Sequence, residues 1–172
     1  MRRVRAAAGT AVFLVVAPGT VVGLLPWLIT GWQAGSSRPA ALIALGALLI
    51  AVGCAVLLYA FGQFVVDGLG TPAPPAPTDV LVSRGLYRWV RNPMYLAVLT
   101  AVVGQAVLLE RPVLLAYAAA VCVVCVAFVH WYEEPTLRRR YAASYDEYRD
   151  RVPGWLPRWP RTGSASGAGR PG

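Results

Sequence analysis

The sequence predicts an all-α integral membrane protein with four transmembrane helices, N- and C-termini cytoplasmic, and an amphipathic C-terminal helix. Three observations carry that expectation. Of 172 residues, 57% are hydrophobic and only 14% are charged, where soluble globular chains carry about 25% charged residues. The charges are segregated, leaving four uncharged runs of 32, 28, 18 and 21 residues, each near or above the roughly 20 residues that cross a bilayer core. All 16 basic residues are arginine, and they cluster on one side of the resulting topology. A chain this apolar with a net charge of +8 reads as a membrane protein with basic cytoplasmic edges, not as a binder of nucleic acid.

The four spans fall near residues 10–32, 40–66, 94–109 and 112–132. Buried helices of a soluble bundle would each need a polar face, and none has one. A barrel would show alternating segments of about ten residues instead of unbroken Leu/Ala/Val runs. Arg2, Arg3 and Arg5 precede the first span. Arg84, Arg88 and Arg91 lie in the middle loop, and eight arginines follow the fourth span. Only Arg38 and Arg111 fall in the two short connections. Positive-inside bias therefore places both termini and the middle loop in the cytoplasm. The start also has the outline of a signal peptide, but its apolar run is too long. Its removal would put the basic loop and basic tail on opposite sides of the membrane.

After the second span comes a Pro-rich loop, Thr71 to Pro77, which must be extended. The basic, aromatic stretch from Leu81 to Arg91 suits a membrane–water interface. Asn92-Pro93 then begins the third span, Asn as N-cap and Pro as first helical residue. Glu110-Arg111-Pro112 permits only a tight antiparallel hairpin into the fourth span, which ends near Glu133-Glu134. Beyond Pro135, Leu137, Tyr141, Tyr145 and Tyr148 recur at helical spacing on one face. Val152 to Pro157 ends that helix, and the Gly/Ser/Ala-rich tail from Arg161 is expected to be disordered.

Few residues offer chemistry. Gly68-Leu69-Gly70 is a lone G-x-G with no strand before it. One His and scattered carboxylates build no ordinary zinc site, so no metal is expected. Cys54, Cys122 and Cys125 all lie within spans, and Cys122-x-x-Cys125 reads as small apolar packing residues. What stands out is the pairing at one membrane face. The third helix starts at Asn92-Pro93 with free amides that favour anions. The fourth ends at two adjacent carboxylates, Glu133 and Glu134, where the macrodipole disfavours negative charge. Charges set against a local rule often mark function, although these two can also simply meet water or the arginines at 138–140. His130 lies one turn before Glu134 and reads as an interfacial His or a site residue. Tyr87, Trp89 and Tyr95 suit interface anchoring or ligand contact.

The ordered run Gly70-Thr71-Pro72-Ala73-Pro74, Gly85 through Met94-Tyr95, Glu133-Glu134-Pro135-Thr136-Leu137, and Tyr141 to Val152-Pro153 resembles the isoprenylcysteine carboxyl methyltransferase family. The related phospholipid N-methyltransferases share the pattern more loosely. The resemblance covers roughly residues 65–157 and is to a bacterial-type member. It implies an S-adenosylmethionine-dependent methyltransferase in the bacterial plasma membrane, its active site facing the cytosol. Its functional pattern falls on Arg91, Asn92, Pro93, Tyr95, Glu133 and Glu134; together with Tyr87 and His130, taken from their own chemistry and place beside it, these are the expected cofactor-binding residues, and Arg91, Asn92 and Glu134 the expected catalytic ones. Asn92 stands where the eukaryotic prenylcysteine enzymes have His, and Tyr141-Ala142 where Phe-Gly is common.

On this reading residues 1–66 form an N-terminal transmembrane hairpin, 67–160 a methyltransferase-like core and 161–172 a tail. The expected partners are a lipophilic methyl acceptor and membrane lipids. The acceptor atom stays open: an isoprenylcysteine-like carboxylate, a phospholipid amine, or another group on an apolar molecule. Two other readings compete. One is an NADPH-dependent membrane reductase of related scaffold, the other a non-enzymatic membrane subunit.

Overall fold

The structure, a computed structural model, describes residues 2–158 except 38, 67–80 and 82. The Pro-rich loop, the Gly68-Leu69-Gly70 motif and the tail from Arg161 lie outside those residues. Every regular element among the described residues is helical. Three stretches are long and apolar enough to cross a membrane: Ala11–Thr30, Ala40–Gln63 and Val113–Tyr141. A fourth apolar helix, Pro93–Leu109, is shorter.

The first helix is longer than its apolar run and is not uniform. It comprises α1 (Arg2–Pro18), a π-helical turn (Gly19–Leu24) and α2 (Leu25–Thr30). The irregularity follows from Pro26, which has no N–H to give the Val22 carbonyl. The Leu25 amide bonds one residue further back, to Thr20 O, and so leaves Val21 O. Side chains of other helices take both carbonyls. Gln105 Nε2 donates to Val22 O at 2.7 Å, and Tyr117 OH to Val21 O at 2.9 Å. A proline in an apolar helix is tolerated because neighbours satisfy what it frees. The first helix is thereby clipped to the two helices behind it.

The central pair is α3 (Ala40–Val66) and α4 (Pro93–Leu109). Their backbones approach closely because small residues line the seam. A Cβ on Gly46 would lie 2.5 Å from the Leu108 amide nitrogen, and one on Gly53 would lie 2.8 Å from Ala97 O. One on Gly104 would lie 2.8 Å from the Ile50 amide nitrogen. Gly46 opposite Leu108 and Gly53 opposite Ala97 make the pair antiparallel. Small-residue seams of this kind are how helices associate in lipid, where hydrophobicity gives no net drive between them. Outward faces are apolar, with Val15 at 70% exposure, Val123 at 69% and Trp131 at 76%. A soluble bundle of this size would not leave such surfaces in water.

Glu110, in the left-handed region at φ 52°, turns the chain tightly from α4 into α5 (Val113–Phe128). Here the structure corrects the sequence reading. The fourth helix does not end at Glu133-Glu134. It passes through a π-helical turn, Val129–Glu133, straight into α6 (Glu134–Tyr141). The Glu134 amide reaches back five residues to Val129 O, and this wider turn accommodates Pro135 without ending the helix. Glu133 and Glu134 are therefore mid-helix residues, and no terminal macrodipole acts on them.

The single amphipathic helix expected after Pro135 is instead two pieces, α6 and α7 (Ala143–Arg151). They break at Ala142, whose φ of 44° and ψ of −125° lie where glycine alone sits without steric cost. Glycine is what the family resemblance leads one to expect at this position. The break folds α7 back, so that Tyr145, Tyr148 and Val152 bury against Ala60 and Tyr87, with Leu137 and Tyr141 packed at the edge.

Candidate functional site

The beginning of α4, the π turn below α6, and the inner face of α7 converge on one cavity of about 740 Å³. That size falls within the roughly 300–1,000 Å³ of small-molecule sites. Its two ends differ in chemistry. At one end stand Arg91, Asn92, Tyr95, Glu133, Glu134 and Tyr145. The other end is apolar and is walled by Phe13, Ala17 and Val21 of the first helix, Phe61 of α3, Val98 of α4 and Val124 of α5.

An ion pair and a hydrogen bond to a second carboxylate organise the polar end. Arg91 Nη1 donates to Glu134 Oε1 at 2.8 Å and also to Tyr145 OH at 3.2 Å. Tyr95 OH donates to Glu133 Oε2 at 2.8 Å. Adjacent residues Glu133 and Glu134 thus take different partners, one from the first turn of α4 and one from just before it. Arg91 Nε is buried and bonds no protein group among the described residues. A buried guanidinium donor in that state costs free energy unless a ligand or water completes it.

Burial holds the surrounding tyrosines neutral. Burial keeps the Tyr87 phenol well above its ordinary pKa, and Glu133 and then Tyr148 push the same way. Burial likewise raises Tyr145 and Tyr148, more than Arg91 lowers either. Tyr148 OH donates to Tyr87 O at 2.6 Å, tying α7 to the 3₁₀ turn Gly85–Arg88 that carries Tyr87.

Seven of the eight residues singled out from sequence line this cavity: Tyr87, Arg91, Asn92, Pro93, Tyr95, Glu133 and Glu134. His130 does not. It is exposed, its ring set edge-on to Trp131. Asn92 occupies the N-cap position of α4 but makes no side-chain capping bond. Its Nδ2 donates to Gly154 O at 3.0 Å instead. Sequence reasoning placed Tyr141, Tyr145 and Tyr148 on one helical face but not at the cavity, which all three line. Their shared signal was polar-tipped aromatics where a plain packing face would carry Leu or Val. Cys125 lines the cavity as well, while all three cysteines are free.

The model of the phospholipid methyltransferase family matches residues 40–144, more than half the chain, from the first residue of α3 into α7. No curated protein and no solved structure matches. The matched stretch contains Arg91, Asn92, Pro93, Tyr95, Glu133 and Glu134, and leaves out the helix that walls the apolar end. By this match the chain belongs to the phospholipid methyltransferase family.

Proposed function

We propose that the protein is an integral membrane methyltransferase that uses S-adenosylmethionine to methylate a lipophilic acceptor. The observation that carries this is the two-ended cavity, polar and charged where α4 meets the π turn and apolar beneath the first helix. When bound, S-adenosylmethionine would supply an electrophilic methyl group on a sulfonium.

The residues present fit that molecule. Arg91, with its buried and unpartnered Nε, is the natural partner for the amino-acid carboxylate. Glu133 and Glu134 suit the ammonium or the ribose hydroxyls. Tyr87 and Tyr95 offer aromatic faces for the adenine or the cation. Methyl transfer depends on in-line geometry more than on acid–base groups, so the chain's task is to orient its ligands and exclude water. Asn92 cannot accept a proton at neutral pH and its amide is committed to Gly154. It serves by position. The apolar end would take the acceptor's hydrocarbon part, with its reactive group presented toward Tyr95 and Glu133.

The same reading gives four spans, α4 being the shortest at 17 residues, the low end of what crosses a bilayer. The arginine distribution supports a cytoplasmic position for both termini and for the polar end of the cavity. Cysteine labelling tests the orientation: a Cys at Ser83 should react only from the cytoplasmic side, and labelling from outside refutes it.

Isothermal calorimetry on the purified protein tests the chemistry. S-adenosylmethionine or S-adenosylhomocysteine should bind and NADPH should not. Binding of NADPH alone would make the protein a reductase on this scaffold, and binding of none of the three would make it a non-enzymatic subunit.

A further inference from the structure

After Val152 buries in the tyrosine cluster at the end of α7, the chain turns back along residues 89–92. The Arg91 amide donates to Pro153 O at 2.9 Å, Asn92 Nδ2 to Gly154 O at 3.0 Å, and the Arg158 amide to Trp89 O at 3.2 Å. Residues 153–158 therefore form an antiparallel strap against the segment that carries Arg91 into the site. The strap's own Trp155 packs on Tyr95, ring centroids 6.2 Å apart at 36°. Neither Gly154 nor Trp155 lines the cavity, and both lie beyond residues 40–144, the stretch the family model matches.

We propose that Gly154 and Trp155 are positioning residues for the polar end of the cavity, Gly154 acting through Arg91 and Asn92 and Trp155 through Tyr95. The inference rests on the donor-site reading above. Each contact has a specific consequence. A Cβ on Gly154 would lie 3.2 Å from Arg91 Nη2 and 3.8 Å from Asn92 Nδ2. Glycine here leaves the guanidinium the room it needs to reach Glu134 with its other terminal nitrogen. The Gly154 carbonyl draws the Asn92 amide away from the helix end, which leaves the first amides of α4 uncapped by that side chain. Trp155 fixes the ring of Tyr95, and Tyr95 in turn fixes Glu133 Oε2. The strap thus sets both members of the polar end at once: the Arg91–Glu134 pair through Gly154, and the Tyr95–Glu133 pair through Trp155. A bulky residue at 154 displaces the first, and loss of the indole loosens the second.

The test uses the full-length protein with S-adenosylhomocysteine as the probe in calorimetry. Gly154→Val should weaken binding about tenfold, the scale of one displaced hydrogen bond to a charged group, and Trp155→Ala by up to about fivefold, no more than loss of the Tyr95 hydroxyl through which it acts. Trp155→Phe should restore most of the loss. In a Tyr95→Phe background, Trp155→Ala should add less than about twofold, because two residues acting through one contact are not additive. A residue that only stabilised the fold would show its full effect in both backgrounds. Amide exchange of the ligand-free protein supplies a second readout. Gly154→Val should raise exchange across residues 89–95 and leave 113–128 unchanged. Wild-type affinity in both strap variants, or full additivity with Tyr95→Phe, overturns the proposal. If the wild type binds no S-adenosylhomocysteine while the exchange effect persists, the donor assignment fails and the positioning of residues 89–95 by the strap stands.

Discussion

Arg91→Ala should lower affinity for S-adenosylhomocysteine by about a hundredfold, the upper end for a lost hydrogen bond to a charged group. It should also lower the thermal unfolding temperature in detergent, an effect the sequence gives no reason to expect. The loss of affinity follows from Nε, buried and without a protein partner among the described residues, and the loss of stability from Nη1. Arg91 Nη1 bonds Glu134 and Tyr145 together, with side-chain exposures of 15% for Arg91 and 22% for Glu134. Removing it leaves Glu134 partly buried without its Arg91 partner and takes away the side-chain tie between Tyr145 of α7 and the segment that enters α4. Breaking a fully buried pair costs about 3–5 kcal/mol; the residual water contact here brings the expected loss nearer 2 kcal/mol. Arg91→Lys separates the two roles. Its ammonium can meet Glu134, but as a single point charge it cannot also present a forked donor to a ligand carboxylate. The lysine variant should therefore keep most of the stability and recover little of the affinity. Affinity within about threefold of wild type in Arg91→Ala is less than the smallest loss expected of a charged hydrogen bond, and would remove Arg91 from the donor site.

Glu133→Gln should weaken the same ligand by about ten- to a hundredfold with the fold intact. Glutamine keeps the shape of the side chain, and its carbonyl can still accept from Tyr95 OH, which now bonds Glu133 Oε2 at 2.8 Å. What disappears is the negative charge beside an ammonium or a pair of ribose hydroxyls. Tyr95→Phe should cost less, about fivefold, because it removes a neutral donor and leaves the carboxylate in place. Glu147→Gln provides the comparison. That residue is exposed and pairs with Arg151 at 3.5 Å on the outside of α7, so affinity should not change. A folded Glu133→Gln/Glu134→Gln double variant with wild-type affinity would return both carboxylates to a purely structural role.

Much of this architecture is written along the chain because its determinants are one-dimensional. Hydropathy over about 20 residues is a local sum, and so the long apolar helices, including Ala40–Val66, are found where the uncharged runs lie. Turn chemistry is equally local: Glu110-Arg111-Pro112 is too short for anything but the tight connection observed. Arg91, Tyr95, Glu133 and Glu134 could be brought together from sequence because a short hairpin must return the far ends of its helices to one level.

What depends on helical phase or on distant contacts was decided by tertiary structure. At 3.6 residues per turn, His130 and Glu134 share a face. The π turn at Val129–Glu133 holds more residues per turn, so the shared face is lost; Glu134 points inward and His130 outward. Pro135 marks the place, but a proline reads as a helix end as readily as a π turn; here the helix continues through it, with Glu133 held by Tyr95 and Glu134 by Arg91. Asn92 has the local preference of an N-cap, yet a carbonyl 62 residues away takes its amide. The apolar wall from Phe13 to Val21 faces the cavity because Gln105 and Tyr117 seize the two carbonyls freed around Pro26. The sequence by itself determined which segments are apolar helices and which residues gather at their ends. Packing determined the rotation of those helices and the partners of each polar group, because rotation is set by hydrogen bonds that close only when distant segments meet.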